Sequence, residues 1–142
     1  MKKYLKSLIC VSCGSKHSLK EIVYSCPKCG NTLDITYDYD AIAQSIDKKI
    51  LAERTPSLAK YIELLPILEP RKMVSLGEGS TPLLNSKRLA ARLGLKNLYL
   101  KDETRNPTGV FKDRATAIVA TKALEFDRDT TCLLYTSDAA DE

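Results

Sequence analysis

Hydrophobic and polar positions change rhythm once along this 142-residue chain, near Asp40. Before that point the apolar residues come in short runs separated by Gly, Ser, Cys and Asn: Leu8-Ile9, Ile22-Val23-Tyr24, and the stretch from Leu33 to Tyr37. Runs of this length, rich in β-formers and bounded by turn residues, predict short strands. After it, Ala41, Ile42, Ile46, Ile50 and Leu51 recur at three- and four-residue spacing, the period of one helix face, with Asp40 as the N-cap. A second helix is expected over 57–65, between Pro56 and Pro66. Residues 66–82 hold three prolines and two glycines and predict a long ordered loop. A third helix over 86–93 stops at Gly94, which suits a left-handed C-cap. Leu98-Tyr99-Leu100 predicts a strand, Asn106-Pro107-Thr108-Gly109 a turn, and 111–126 a long helix. The middle of that helix, 115–120, is apolar or small on every side, which predicts burial on more than one face. Helix, strand, loop and buried helix in succession make an α/β domain, preceded here by a small β unit.

Composition acts mainly by exclusion. Hydrophobic residues make up 44% and charged ones 28%, a balance too apolar for a disordered chain. No apolar run approaches the roughly 20 residues that a bilayer-spanning helix needs. Met1-Lys2-Lys3-Tyr4-Leu5-Lys6 is followed by no apolar stretch or small-residue cleavage site, so a cytoplasmic location without a membrane partner is expected. The last eleven residues, 132–142, back-translate into a transposon adapter of the kind used to build sequencing libraries; the alternative is a native acidic tail. Setting that tail aside removes Cys132, Asp138, Asp141 and Glu142, leaves four cysteines, and raises the formal net charge from +4 to +7. The basic residues are spread along the chain rather than clustered, so no nucleic-acid partner is expected. The organisation expected is a β unit at 1–38, an incomplete body at 39–131 and an adapter-derived tail at 132–142.

The four cysteines form two pairs, Cys10-x2-Cys13 and Cys26-x2-Cys29, separated by twelve residues. Two intervening residues let a tight turn aim both sulfurs at one point, and Gly14 and Gly30 let the backbone fold back beneath them. Four thiolates close a tetrahedral shell around zinc and leave no position for water or substrate, so the site is read as structural. About forty residues bury too little apolar surface to fold alone, and a metal supplies the missing energy. Iron in a rubredoxin-like site is the rival, and disulfides fit poorly with a chain lacking an export signal. His17, between the pairs, is expected to be an exposed loop residue rather than a ligand.

The run Lys101-Asp102-Glu103-Thr104-Arg105-Asn106-Pro107-Thr108-Gly109-Val110-Phe111-Lys112-Asp113-Arg114-Ala115 puts Lys112 in the first turn of the long helix. A cation there opposes the positive end of the helix dipole, and partial burial would add a desolvation cost, both favouring the neutral amine that Schiff-base chemistry requires. Spacing alone favours the plainer reading, a solvated lysine in a Lys-Asp-Arg cluster.

Resemblance shifts that balance. The segment from Asn106 to Ala115 resembles the lysine motif of the pyridoxal-phosphate enzymes of the tryptophan-synthase-β fold type (fold type II), and within it the threonine-synthase branch. Ser75-Leu76-Gly77-Glu78-Gly79-Ser80-Thr81-Pro82-Leu83 is similar to the GEG-x-TPL segment of the same family, some members of which also begin with a zinc-ribbon-like hairpin pair. Val110 departs from the pattern, which usually has Ser or Ala two residues before the lysine. The resemblance implies that Lys112 binds pyridoxal phosphate as a Schiff base and then moves protons. It also implies O-phosphohomoserine as substrate, threonine and phosphate as products, and a homodimer at full length. The sister activities left open are cysteate synthase and threonine dehydratase; a zinc-ribbon binding module without catalysis is the third reading. Phosphate binding needs a Gly-rich loop or a helix N-terminus. The six glycines form no such cluster, so the chain as it stands is expected to be inactive. Resequencing the source DNA across codon 131, with primers free of adapter, is expected to show the reading frame continuing past Thr131 into other residues; a frame that ends in the acidic tail would remove the cofactor site from the reading.

Overall fold

Three antiparallel strands open the structure, a computed structural model that describes residues 4–131. The segment 132–142, expected to be adapter-derived, lies outside the described residues. Strand β1 (Leu5–Cys10) lies between β2 (Lys16–His17) and β3 (Leu33–Tyr37). Leu8 stands opposite both His17 and Ile35, and Cys10 opposite Leu33. The β1–β3 ladder is irregular between Leu5 and Ser7, and there the Thr36 hydroxyl accepts from the Ser7 N–H at 3.1 Å and donates to the Ser7 carbonyl at 2.9 Å. That side chain satisfies backbone groups that the ladder leaves over.

The strand expected at Ile22-Val23-Tyr24 does not form. Both edges of β1 are taken by β2 and β3, and the run pairs with neither outer edge. It lines a groove beside Ile118 and Val119 instead.

One continuous helix from Asp40 is also corrected. Helix α1 (Tyr39–Ala43) is capped by Asp38, whose carboxylate accepts from the Ala41 N–H at 3.0 Å. The Ser45 hydroxyl then donates to the Ile42 carbonyl at 2.8 Å. Asp47, in extended conformation, starts α2 (Lys48–Glu53) by accepting from the Ile50 N–H at 2.8 Å. Asp and Ser side chains that bond nearby backbone compete with a helix and break an otherwise correct apolar period. Over 57–65 the chain makes 3-10 turns (Leu58–Leu64), kinked at Tyr61, rather than an α-helix. Arg54 reaches across with a bidentate pair to Glu63 at 2.7 and 2.6 Å and a bond to the Lys60 carbonyl at 2.7 Å.

The second half holds a two-stranded antiparallel sheet, β4 (Leu83–Asn85) and β5 (Tyr99–Lys101), connected through α3 (Lys87–Arg92). Gly94 closes α3 at φ +68°, as expected. Strand β4 is an addition to the elements expected from the pattern. The described residues thus make a mixed helix and sheet structure whose strand pairs are all antiparallel.

Helix α4 (Lys112–Glu125) forms where expected, but it is not buried on several faces. Ala117 and Thr121 are its buried residues, while Ala115, Thr116 and Val119 are exposed. The loop over 66–75 covers one face through polar contacts. The Thr121 hydroxyl, fully buried, donates to the Ala117 carbonyl at 2.7 Å and accepts from the Val74 N–H at 3.0 Å. Glu125, its side chain only 1% exposed, accepts from the N–H groups of Leu68 and Glu69, each at 2.6 Å, and from Lys122 Nζ at 2.6 Å. A long loop rich in proline needs partners for its free N–H groups, and the last turn of α4 supplies them. Glu125→Ala leaves those donors unpaired and is expected to cost about 2 kcal/mol, with Glu125→Gln, which keeps one acceptor, losing less; urea unfolding of the two variants measures this.

Candidate metal centre and lysine-bearing loop

The two cysteine hairpins share one backbone device. The Gly14 N–H donates to the Cys10 carbonyl at 3.0 Å and the Gly30 N–H to the Cys26 carbonyl at 2.8 Å. Both glycines sit at positive φ, +71° and +75°, where an L side chain is strained. The Cys10 N–H in turn donates to the Ser15 carbonyl at 2.9 Å, and the Cys26 N–H to the Asn31 carbonyl at 2.8 Å. Each hairpin therefore closes on its own first cysteine. The four Sγ atoms lie within 4.8 Å of one another, with Cys10 to Cys29 at 3.4 Å and Cys13 to Cys26 at 3.7 Å. Tetrahedral zinc with sulfur at about 2.3 Å puts neighbouring sulfurs about 3.8 Å apart. The donor set and its spacing therefore fit a tetrathiolate cation site. None of the four forms a disulfide.

Electrostatics within the cluster are uneven. The Ser15 hydroxyl, 3.2 Å from Cys26 Sγ, is the main reason that thiol is lowered to about 5. Cys13 is lowered by the same hydroxyl at 3.0 Å. The Asn31 backbone N–H lowers Cys29, but Cys10, desolvation and Cys13 together outweigh that and push it up to about 11. Four thiols in one place cannot all ionise without a cation, and a dication reverses the balance. His17 departs from expectation: it lies half-buried on β2, with Nε2 3.2 Å from Ser15 Oγ and 3.6 Å from Cys26 Sγ.

Lys112 is the first residue of α4, and it is exposed rather than partly buried. Among the described residues its ammonium makes no hydrogen bond or ion pair. The turn before it is closed by the Gly109 N–H donating to the Asn106 carbonyl at 2.9 Å. Asp113 accepts from the Thr108 N–H at 2.8 Å and from its hydroxyl at 2.5 Å. Arg114 forms a bidentate pair with Glu103, both contacts 2.8 Å. The Asn106 amide donates to the Glu103 carbonyl and carboxylate at 2.8 and 3.0 Å, and its oxygen accepts from the Gly79 N–H at 3.0 Å. The Thr81 hydroxyl completes the set by donating to Glu103 at 2.5 Å.

This network joins the loop of residues 75–82 to the lysine turn. Glu78, Thr81 and Asn106 are buried, and the Glu78 carboxylate accepts from the Ser75 hydroxyl and the Leu76 N–H. Gly79 has φ +92°, and a Cβ there would stand 2.8 Å from the Leu58 nitrogen and 3.0 Å from the Arg114 guanidinium. Only glycine lets the two segments approach this closely. Glu103 carries the network, yet nothing in its spacing had singled it out. Arg114 first, then Thr81 and Asn106, hold its carboxyl far below the usual carboxylate range, and the same pair raises Arg114. Two clefts, of about 600 and 690 Å³, lie elsewhere, between the first sheet and residues 62–70 and along α4; neither is lined by Lys112.

Residues 74–140 match the model of the family described as pyridoxal-phosphate dependent enzyme. The match takes in the 75–82 loop and Lys112, and it excludes the four cysteines. A threonine synthase of Methanosarcina acetivorans is 43% identical over 133 residues, 94% of this chain and 32% of that protein. A threonine synthase of Methanocaldococcus jannaschii is 42% identical over 116 residues, 82% of this chain and 28% of its own length. That of Halalkalibacterium halodurans is 44% identical over 68 residues, 48% of this chain and 19% of its own. The chain thus spans about a third of the length of the first two relatives.

Because Glu103 ionises more readily folded than unfolded, its pair with Arg114 contributes fully above about pH 4.3, and the contribution is lost as pH falls below that value. Glu103→Gln should therefore be less stable than the parent near neutrality, and the gap in urea midpoint should narrow from about pH 6 to about pH 3.

Proposed function

We propose, from the match of residues 74–140 to the pyridoxal-phosphate dependent enzyme family and the likeness to two threonine synthases, that the chain is an N-terminal part of a threonine synthase. The complete enzyme would convert O-phosphohomoserine and water to threonine and phosphate. The bond from the γ carbon to the phosphate oxygen breaks, the β carbon gives up a proton and the γ carbon gains one. Water adds its hydroxyl at the β carbon while its other proton goes to the released phosphate. Lys112 would hold pyridoxal phosphate through its ε-amine, and when bound that cofactor supplies an electron sink for charge developing on the substrate. The lysine's own part is to carry protons at Nζ.

The observation that carries this reading is the division of charge around Lys112. In a Lys-Asp-Arg cluster paired within itself, Asp113 would take Lys112 or Arg114 as its partner. Here Asp113 is turned to Thr108 and Arg114 to Glu103, which leaves the amine exposed at the start of α4. Asn106, Thr81 and Glu103 orient the turn that presents it. The 75–82 loop, held by Gly79 against Asn106, forms the adjoining wall.

The four cysteines are read as a structural zinc site at 1–38, since four thiolates leave no open coordination position. The body at 39–131 is the front of the fold type II catalytic unit, and 132–142 is adapter-derived. The chain alone is inactive on this reading, and the full-length enzyme is a cytoplasmic homodimer.

The test uses the full-length enzyme with pyridoxal phosphate. O-phosphohomoserine is expected to yield threonine and phosphate in equal amounts, and Lys112→Ala to lower kcat by about a thousandfold or more. Turnover of phosphoserine instead would assign the chain to a sister enzyme, and unchanged activity of the variant would remove Lys112 from the chemistry.

A further inference from the structure

We infer that Ser15 and His17 form a side-chain donor shell around the Cys13–Cys26 side of the cysteine cluster, and that this shell governs how tightly the cluster retains its metal; the inference rests on the reading of the cluster as a metal site. A metal-bound thiolate carries no hydrogen, so every polar contact it makes must come from a donor. Ser15 Oγ lies 3.0 Å from Cys13 Sγ and 3.2 Å from Cys26 Sγ. It has one hydroxyl hydrogen, which serves one of those sulfurs at a time. His17 Nε2 faces two acceptors, Ser15 Oγ at 3.2 Å and Cys26 Sγ at 3.6 Å. With its proton on Nε2 the ring donates to one of them at a time, and when it donates to Ser15 Oγ the serine hydrogen is free to turn to sulfur.

The other two sulfurs are served differently. Cys10 takes the Cys13 backbone N–H at 3.5 Å, and Cys29 takes the Asn31 side-chain amide at 3.7 Å. The backbone donor at Cys10 is supplied by any sequence that makes the hairpin, and the Asn31 amide serves Cys29 alone among the four sulfurs. The Ser15–His17 pair is a choice of side chains, brought together because β2 continues the chain straight out of the first hairpin. A tetrathiolate around a divalent cation keeps a net negative charge, and donors aimed at the sulfurs offset it. Loss of such outer partners typically lowers metal affinity by about 10- to 100-fold.

The test loads the full chain with cobalt(II) and withdraws the metal with a competing chromogenic chelator. Ser15→Ala and His17→Ala are each expected to weaken retention by about tenfold, and Ser15→Thr, which keeps the hydroxyl, to stay within about twofold of the parent. The double variant should lose less than the product of the two single losses, because His17 acts partly through Ser15. All variants should keep the absorption pattern of cobalt bound by four thiolates. The inference is overturned if Ser15→Ala and His17→Ala retain cobalt as tightly as the parent. It is also overturned if His17→Ala changes the cobalt spectrum, which would make His17 a ligand. A parent chain that shows no cobalt–thiolate absorption overturns the metal reading itself, and this inference with it.

Discussion

The bidentate pair between Arg114 and Glu103 is the contact through which the lysine-bearing half keeps its register. Arg114 lies on the first turn of α4, Glu103 in the turn that leaves β5, and the carboxylate also receives the Thr81 hydroxyl and the Asn106 amide. Three chain segments therefore meet on one carboxylate. Few buried apolar side chains back it up: among the described residues Ile42, Ile67, Ala90 and Ala117 are the buried apolar ones besides Cys10 and Cys26. With so little hydrocarbon to enforce a geometry, directed polar bonds define where Lys112 stands. A position set by several short bonds is held more narrowly than one set by sliding contacts, which is what the proposed role of Lys112 requires.

The same economy governs the loop over 66–75. Its prolines remove some donors, and the rest find Thr121 and Glu125 on α4. The helix that presents Lys112 at one end thus anchors the long loop at the other. Strain or repacking along α4 would reach both.

Legibility in the sequence followed the range of each interaction. The cysteine pairs could be read because metal geometry is encoded in local spacing, and the structure brings all four sulfurs together. Gly94 and the extent of α4 could be read for the same reason, as caps and periods are local. The split between α1 and α2 was missed because Ser45 bonds the Ile42 carbonyl and Asp47 caps a new helix at the Ile50 N–H, which breaks a helix without disturbing its apolar period. Residues 22–24 have strand-like composition, but pairing depends on which edges are free. The partly buried Lys112 was wrong for a comparable reason: a helix that is apolar all round says nothing of which residues cover it. Glu103 and Ser15 escaped notice, and His17 was read as an exposed loop residue, because their value depends on partners in space; in the case of Glu103 the partner lies eleven residues away.

Both candidate sites are at root solutions to one electrostatic problem, the gathering of negative groups at close range. In the cysteine cluster neighbouring thiols push Cys29 up to about 11 while Ser15 lowers Cys26 to about 5, so the sulfurs cannot ionise together until a cation supplies the balancing charge. In the loop, Glu78 and Glu103 are balanced within the chain, by hydroxyl and amide donors and by one guanidinium. The first solution leaves a vacancy of charge that suits a metal. The second spends Arg114 internally, which is why it is Lys112 alone, of the Lys-Asp-Arg triplet, that faces outward. A cluster of thiols suited to a cation and an unpaired lysine thus arise in one short chain from opposite ways of neutralising acids.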